Sequence, residues 1–302
     1  MNRRIATIYL TLIGFLLILV VSWYLLSFST SKSIQEGFDG EKAYDHVVTQ
    51  VEFGSRVPGS VGHTLTRNWI ESQLITFGWK VNKQQAESMG HSVQNIIAYK
   101  AEEKPLLILG AHYDTRYYAD EDPVPANRLK PVPGANDGAA GVAVLLELAR
   151  TLSDQNLPVW LVFFDAEDNG RIEGWDWILG SRVFVQSLDS TPEAVVILDM
   201  VGDSDLKIYY EKNSSPALRS EIWDTAIGLG YGDIFIKQEK YAMLDDHTPF
   251  LQAGIPAIDI IDFDYTYWHT TEDTPDKVSA ASLDVIGSTL LTWITEFNFL
   301  TD

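Results

Sequence analysis

The sequence predicts an α/β domain built on a largely parallel β-sheet with helices on both faces. Stretches of helical period alternate with apolar strand-like runs from about Phe38 to the C-terminus. The strand runs are continuously apolar, as in VWLVFF at 159–164, a pattern of strands covered on both sides. Acidic and histidine residues stand immediately after those runs, where the strand ends of such a sheet open into one crevice.

Taken in order, Arg3 and Arg4 precede an uncharged apolar stretch over residues 5–28. At about 1.5 Å per residue this stretch is long enough for a ~30 Å hydrocarbon core. A removable signal is the alternative, but SWYLLSFSTS offers no small-x-small cleavage site. Residues 1–28 are therefore expected to be a transmembrane anchor. The arginines would hold its N-terminus in the cytoplasm and the body on the extracytoplasmic side, periplasmic or extracellular. Residues 29–40 read as a polar spacer, and 41–302 as the one folded domain, in which the candidate chemistry below lies. Within it, helices are expected over 41–52 and 63–77, where Leu65, Trp69, Ile70 and Leu74 share a face. The turn-rich GSRVPGS separates them. Strands follow at 79–86, 93–100 and 106–113, a helix at 138–153, and strands at 159–164, 194–200 and 206–210. Helices at 215–229 and 246–253, a strand at 256–261 and a helix at 279–298 complete the chain.

The 302 residues, 46% hydrophobic, suffice for a full core. A net charge of −20 argues against a nucleic-acid partner, which needs clustered Lys and Arg, and weakly favours a cationic ligand such as a peptide amine. The chain has no cysteine, so any metal must be held by oxygen and nitrogen.

The candidate chemistry lies in GAHYDTR (His112, Asp114), GANDGAAG (Asp137), FFDAEDNG (Glu167, Asp168), ILDMVGD (Asp199), LDDHTPF (Asp245, Asp246, His247) and YWHTTEDT (His269). Singly, each has a plainer explanation. Asp137 precedes a helix it might simply cap, His112 suits a satisfied core histidine, and Glu167–Asp168 suits a solvated turn. Asp199 suits a loop acid, and Trp175, Trp177 and Trp268 suit core aromatics. Together, carboxylates and imidazoles in one cleft call for a cation, and zinc suits mixed O/N ligands.

In that order these stretches, from residue 40 onward, resemble the zinc aminopeptidase and glutaminyl cyclase superfamily. The likeness implies a central mixed, mostly parallel sheet flanked by helices. It also implies that Asp137, Asp168 and His269 bind zinc and that Glu167 transfers protons. In the dinuclear aminopeptidases, positions matching His112 and Asp199 hold a second metal with Asp137 bridging. The doubled acid Asp245–Asp246, where aminopeptidases carry Ser-Asp or Thr-Asp, resembles the cyclases, as does Trp268 directly before His269. AHYDTR–YAD and W-x-LGS (Trp177 to Ser181) are closest to bacterial enzymes of the animal-type cyclase branch. Two positions depart from the animal enzymes: they have Glu where Asp168 stands and His where Asp259 stands, so no role is carried over to Asp259.

The resemblance thus implies a glutaminyl-peptide cyclotransferase acting on peptides or proteins with N-terminal Gln. One zinc, Glu167, Asp199 and Asp245 would form the catalytic group, and Trp268 and Trp177 the substrate wall. A zinc aminopeptidase, with two zincs, is the alternative. A non-catalytic ectodomain would be expected to have lost a ligand or Glu167, and none is lost. The Pro-rich loop at 115–133 is expected at one rim of the pocket.

Overall fold

A computed structural model describes residues 37–101, 104–153 and 157–297. The expected anchor at 1–28 lies outside them, as does most of the spacer. Among the described residues no helix is long and apolar enough to cross a membrane.

The domain opens with α1 (Gly40–Glu52), whose N-terminus is capped by the Asp39 carboxylate accepting from the Glu41 and Lys42 amides. Ser60 caps α2 (Val61–Thr76) in the same way. The strands β1 (Lys80–Ser88) and β2 (His91–Tyr99) form an antiparallel hairpin, and β2 pairs antiparallel with β4 (Val159–Phe164). The remaining pairings are parallel. β3 (Leu107–His112) lies between β4 and β5 (Ala194–Asp199), and β8 (Ala257–Ile261) closes the sheet beside β5. The order β1-β2-β4-β3-β5-β8 makes the sheet mixed and mostly parallel.

Alternate strand residues feed two cores. Leu107, Leu109 and Ala111 of β3 face a large cluster with α1, α2, α3 (Ala139–Thr151), α5 (Pro216–Gly228) and α7 (Ala280–Glu296). Ile108, Val162, Phe164, Val195 and Ile197 face the other side, with Phe184 of α4 (Leu179–Ser187) and Phe250 of α6 (Thr248–Gln252). A sheet covered on both faces explains why its central strands are apolar without alternation.

Four elements differ from the sequence expectation. The helix α4 was not foreseen: it starts after Ile178 in the left-handed region and has no capping side chain, so it carries no N-terminal signal. The strand expected at 206–210 shortens to β6 (Ile208–Tyr210). It leaves the main sheet to pair with the unforeseen β7 (Phe235–Glu239), whose sequence FIKQE is mostly exposed. The helix expected at 246–253 begins only at Thr248, because Asp245, Asp246 and His247 form a turn entering the site.

Candidate metal centre and active site

The chain leaves β3, crosses through α3 to β4 on one side, and later returns to β5 on the other. Such a reversal opens a crevice at the carboxyl ends of the strands. His112 ends β3, Asp137 precedes α3, Glu167 and Asp168 follow β4, Asp199 ends β5, and His269 follows β8. All are at most 9% exposed.

Asp137 lies between two imidazoles. Its Oδ1 is 3.1 Å from His112 Nε2 and its Oδ2 is 3.7 Å from His269 Nε2. His112 Nε2 also lies 3.3 Å from Asp199 Oδ1, and His269 Nε2 lies 2.8 Å from Asp168 Oδ1. Two ligand groups result, His112–Asp137–Asp199 and Asp137–Asp168–His269, each with its donor atoms within 4.8 Å of one another. The second is the group the resemblance implies for zinc, and the first is the one it implies for a second metal. Asp168 Oδ2 has no hydrogen-bond partner among the described residues. An unpartnered buried carboxylate oxygen, in a set of two carboxylates and one imidazole whose donor atoms lie within 4.8 Å of one another, fits a zinc with an open fourth position.

The plainer readings of these residues do not hold. Asp137 is not a helix cap, since Gly138 occupies the N-cap position of α3 and no side chain caps it. A Cβ on Gly138 would overlap the His112 ring, so this position must be bare for the imidazole to approach. Glu167 and Asp168, 6% and 2% exposed, are not a solvated turn. Ala166, Met200 and His269 have φ of 55°, 47° and 53°. Such left-handed backbone at non-glycine residues is strained, and it clusters here beside Glu167 and Asp199 and at His269 itself.

A supporting layer fixes the ligands. Asp114 accepts from the Glu167 amide (3.0 Å), the Asp168 amide (3.4 Å) and Asn169 Nδ2 (3.3 Å). Asp273 accepts from the Asn136 and Asp137 amides and from Tyr265 Oη. Burial, with the nearby Asp137 charge, pushes the Asp273 carboxyl up to about 7. Buried Arg56 donates to the carbonyls of Tyr113, Pro133 and Gly134, holding the segment that leads to Asp137. Of these, Asp114 and Asp273 sit inside GAHYDT and WHTTEDT, so the motifs carried them without revealing their role. Arg56 gave no signal beyond its place in a turn.

Electrostatics divides the site. Burial opposes ionisation of Asp137, but the His112 hydrogen bond and the charges of His112, His269 and Arg56 hold its carboxyl below the ordinary range. Burial and the Asp137 charge raise Asp168 to about 6. Burial raises Glu167 well above its ordinary value, with the charges of Asp168, Asp245 and Asp246 adding to it. Asp199 is raised by burial and by Asp245, and Asp259 by burial, Asp245 and Asp199. Asp246, fully buried beside Asp245, rises to about 8.

Asp137, Glu167, Asp168, Asp199, Asp245 and His269 floor a cavity of about 340 Å³. Trp177, Trp268, Ile261, Phe263 and Met200 wall it, and Arg171, Met243 and Leu244 also line it. Trp268 stacks on His269 with ring centroids 3.8 Å apart, and Trp177 lies parallel to the same imidazole at 6.1 Å. Trp175 is not in the cavity and stacks instead on His91. No residue of 115–133 lines the cavity, contrary to the expectation of a rim there. That loop instead contacts the segments that carry the ligands, through Arg116 on the Asp168 carbonyl, the Glu121 amide on the His269 carbonyl and Asp122 on Thr271.

Residues 95–294 match the family model of Peptidase family M28, and the chain belongs to that family. Among solved structures it is similar to a Porphyromonas gingivalis glutaminyl cyclase. That match has 36% identity and a TM-score of 0.81, over 86% of this chain and 98% of that one. It is similar also to a Bacteroides thetaiotaomicron leucine aminopeptidase precursor, at 34% identity and a TM-score of 0.82, over 87% and 99%. Among curated proteins, the glutaminyl-peptide cyclotransferase of Boiga irregularis is 27% identical over 289 residues, 80% of this chain and 77% of that protein.

Proposed function

We infer that this chain is a zinc-dependent glutaminyl-peptide cyclotransferase, converting N-terminal glutamine of peptides or proteins to pyroglutamate with release of ammonia. The observation that carries this reading is Glu167. It is a buried acid whose proton affinity is raised by burial and by Asp168, Asp245 and Asp246, beside the Asp137–Asp168–His269 group in an aromatic cavity. Its similarity to proteins named glutaminyl cyclase supports the same reading.

Asp137, Asp168 and His269 would hold a zinc, which would supply Lewis acidity toward the γ-carbonyl oxygen of the substrate. Trp177 and Trp268 pack the curled glutaminyl side chain and exclude water, whose attack would give hydrolysis instead. Glu167 accepts a proton from the α-amine as its nitrogen bonds to the amide carbon. It then returns that proton to the departing nitrogen as the old C–N bond breaks, so ammonia leaves. Holding amine and amide together in one pose supplies much of the acceleration, because the step is intramolecular. Burial and the charges of Asp168, Asp245 and Asp246 raise the proton affinity of Glu167, and a bound cation would oppose that shift. Asp199 and Asp245 line the same cavity, and the Asp245 charge helps to hold the proton on Glu167.

One zinc suffices for this scheme. The His112–Asp137–Asp199 group favours a second reading, a two-zinc aminopeptidase in which Glu167 activates water. Incubation with Gln-initiated and Leu-initiated peptides separates the two. Cyclisation gives ammonia and a product 17 mass units lighter (roughly, the mass of NH3) from the first peptide alone, with full turnover held at one zinc per chain. Free Leu, with two tightly bound zincs, would overturn the cyclase.

The reading extends to location. Arg3, Arg4 and the apolar stretch at 5–28 support a single-pass anchor with the catalytic domain on the extracytoplasmic side. Full-length protein recovered in the salt-extractable fraction rather than the detergent-extractable one would refute the anchor.

A further inference from the structure

Arg116 is only 1% exposed, yet its guanidinium reaches four separate parts of the site. Its Nε and Nη2 form a fork on Asp120, both at 2.7 Å. Its Nη1 donates to the Asp168 carbonyl at 2.8 Å and to the Gly170 carbonyl at 3.2 Å. Its Cζ lies 5.0 Å from the Trp177 ring centroid, over the indole face. Asp120 in turn places Oδ1 3.6 Å from His269 Nδ1, while the opposite ring nitrogen faces Asp168 and Asp137. A Cβ on Gly170 would overlap the Trp177 indole, so the ring that Arg116 covers also rests on the backbone that Arg116 holds.

We propose that Arg116 is a positioning residue that couples the metal group to the substrate wall. Through Asp120 it orients His269, through the Asp168 and Gly170 carbonyls it fixes the turn carrying the second ligand, and through its planar face it seats Trp177. A histidine that binds metal through Nε2 must carry its proton on Nδ1, and a carboxylate facing Nδ1 selects that tautomer and ring angle. Asp120 is the residue that faces it, but Asp120 is 44% exposed and on a loop, so its placement depends on the fork from Arg116. Lysine substitutes only in part, because one ammonium keeps the charge but has neither the fork nor the flat face.

The test uses the full chain and zinc itself. Zinc affinity is measured by chelator competition on Arg116→Met, Arg116→Lys, Asp120→Ala, Trp177→Phe and the Arg116→Met/Asp120→Ala pair, each checked for folding by its thermal transition. Arg116→Met and Asp120→Ala are each expected to weaken zinc binding about 10–100-fold. The pair should be no weaker than Arg116→Met alone, with Arg116→Lys between parent and Met. Trp177→Phe should raise KM and leave zinc affinity unchanged, whereas Arg116→Met should raise KM and also weaken zinc binding. Arg116→Met that binds zinc within twofold of the parent, or losses that add in the pair, would overturn the proposal. If Arg116→Met does not fold, Asp120→Ala decides alone: unchanged zinc affinity there sinks it. The inference rests on the zinc reading of His269. A parent chain that takes up no zinc defeats that reading first, whereas a parent that binds zinc equally with its Arg116→Met variant defeats this inference alone.

Discussion

Two sets of buried carboxylates meet at His112, and they are tuned in opposite directions. On one side Asp137 lies between His112 and His269, within the field of Arg56, and stays ionised despite complete burial. On the other, Glu167, Asp199, Asp246 and Asp259 are raised by burial and by one another's charges or that of Asp245. All of these acids are buried, so neighbours decide which are ready to take a cation and which are ready to keep a proton. Asp168 belongs to the first set by position but is raised to about 6 by burial and Asp137, a shift that a bound cation would reverse.

The largest expected effect separates the two sets outright. Glu167→Gln removes the proton carrier and leaves the ligands, so turnover should fall by about 10³-fold or more while bound zinc, measured by elemental analysis, is unchanged. Near-normal activity in that variant would contradict the role given to Glu167. The complementary change is His269→Ala, which should cost the protein its zinc on gel filtration. Full retention there would mean that the ion sits elsewhere.

A smaller effect is expected in stability. Asp246 holds its proton in the fold up to about 8, against an ordinary value of 3.8 in the unfolded chain. Between those values the folded state binds more protons, so this group's contribution is full below the lower value and is lost as pH rises through the higher one. The denaturation midpoint of zinc-free protein should therefore decline from about pH 4 to about pH 8, and Asp246→Asn should flatten the decline. An identical slope in the variant would show that Asp246 is not held protonated. The smallest effect is expected from His112→Gln, which touches both sets without belonging to the Asp137–Asp168–His269 group. One zinc should remain, with cyclisation reduced by about tenfold. Complete loss of turnover would instead point to a working second metal.

Most of the sheet was legible because buried parallel strands leave long apolar runs, and the site was legible because its residues end those runs. His112, Glu167 and Asp199 are each read from the strand that precedes them. Arg116 and Asp120 stand inside AHYDTR–YAD, but their role was not legible, since their partners are backbone carbonyls and an imidazole far along the chain, brought together by the path of a loop. Asp273 and Arg56 were hidden for the same reason: they act on main-chain groups of the segment before α3, which no spacing encodes. The strand β7 escaped because four of its five residues are not buried and show no alternation.

The cavity's size and lining carry a consequence for what this protein can modify. Some 340 Å³ lined by two indoles suits a terminal residue better than a length of folded chain, and Met243, Leu244 and Arg171 share that lining. Recognition then depends on how far a protein's first amino group stands away from its own body. Loose, frayed beginnings of otherwise unrelated proteins become equivalent guests, and a terminus tucked into its own fold escapes, whatever its sequence.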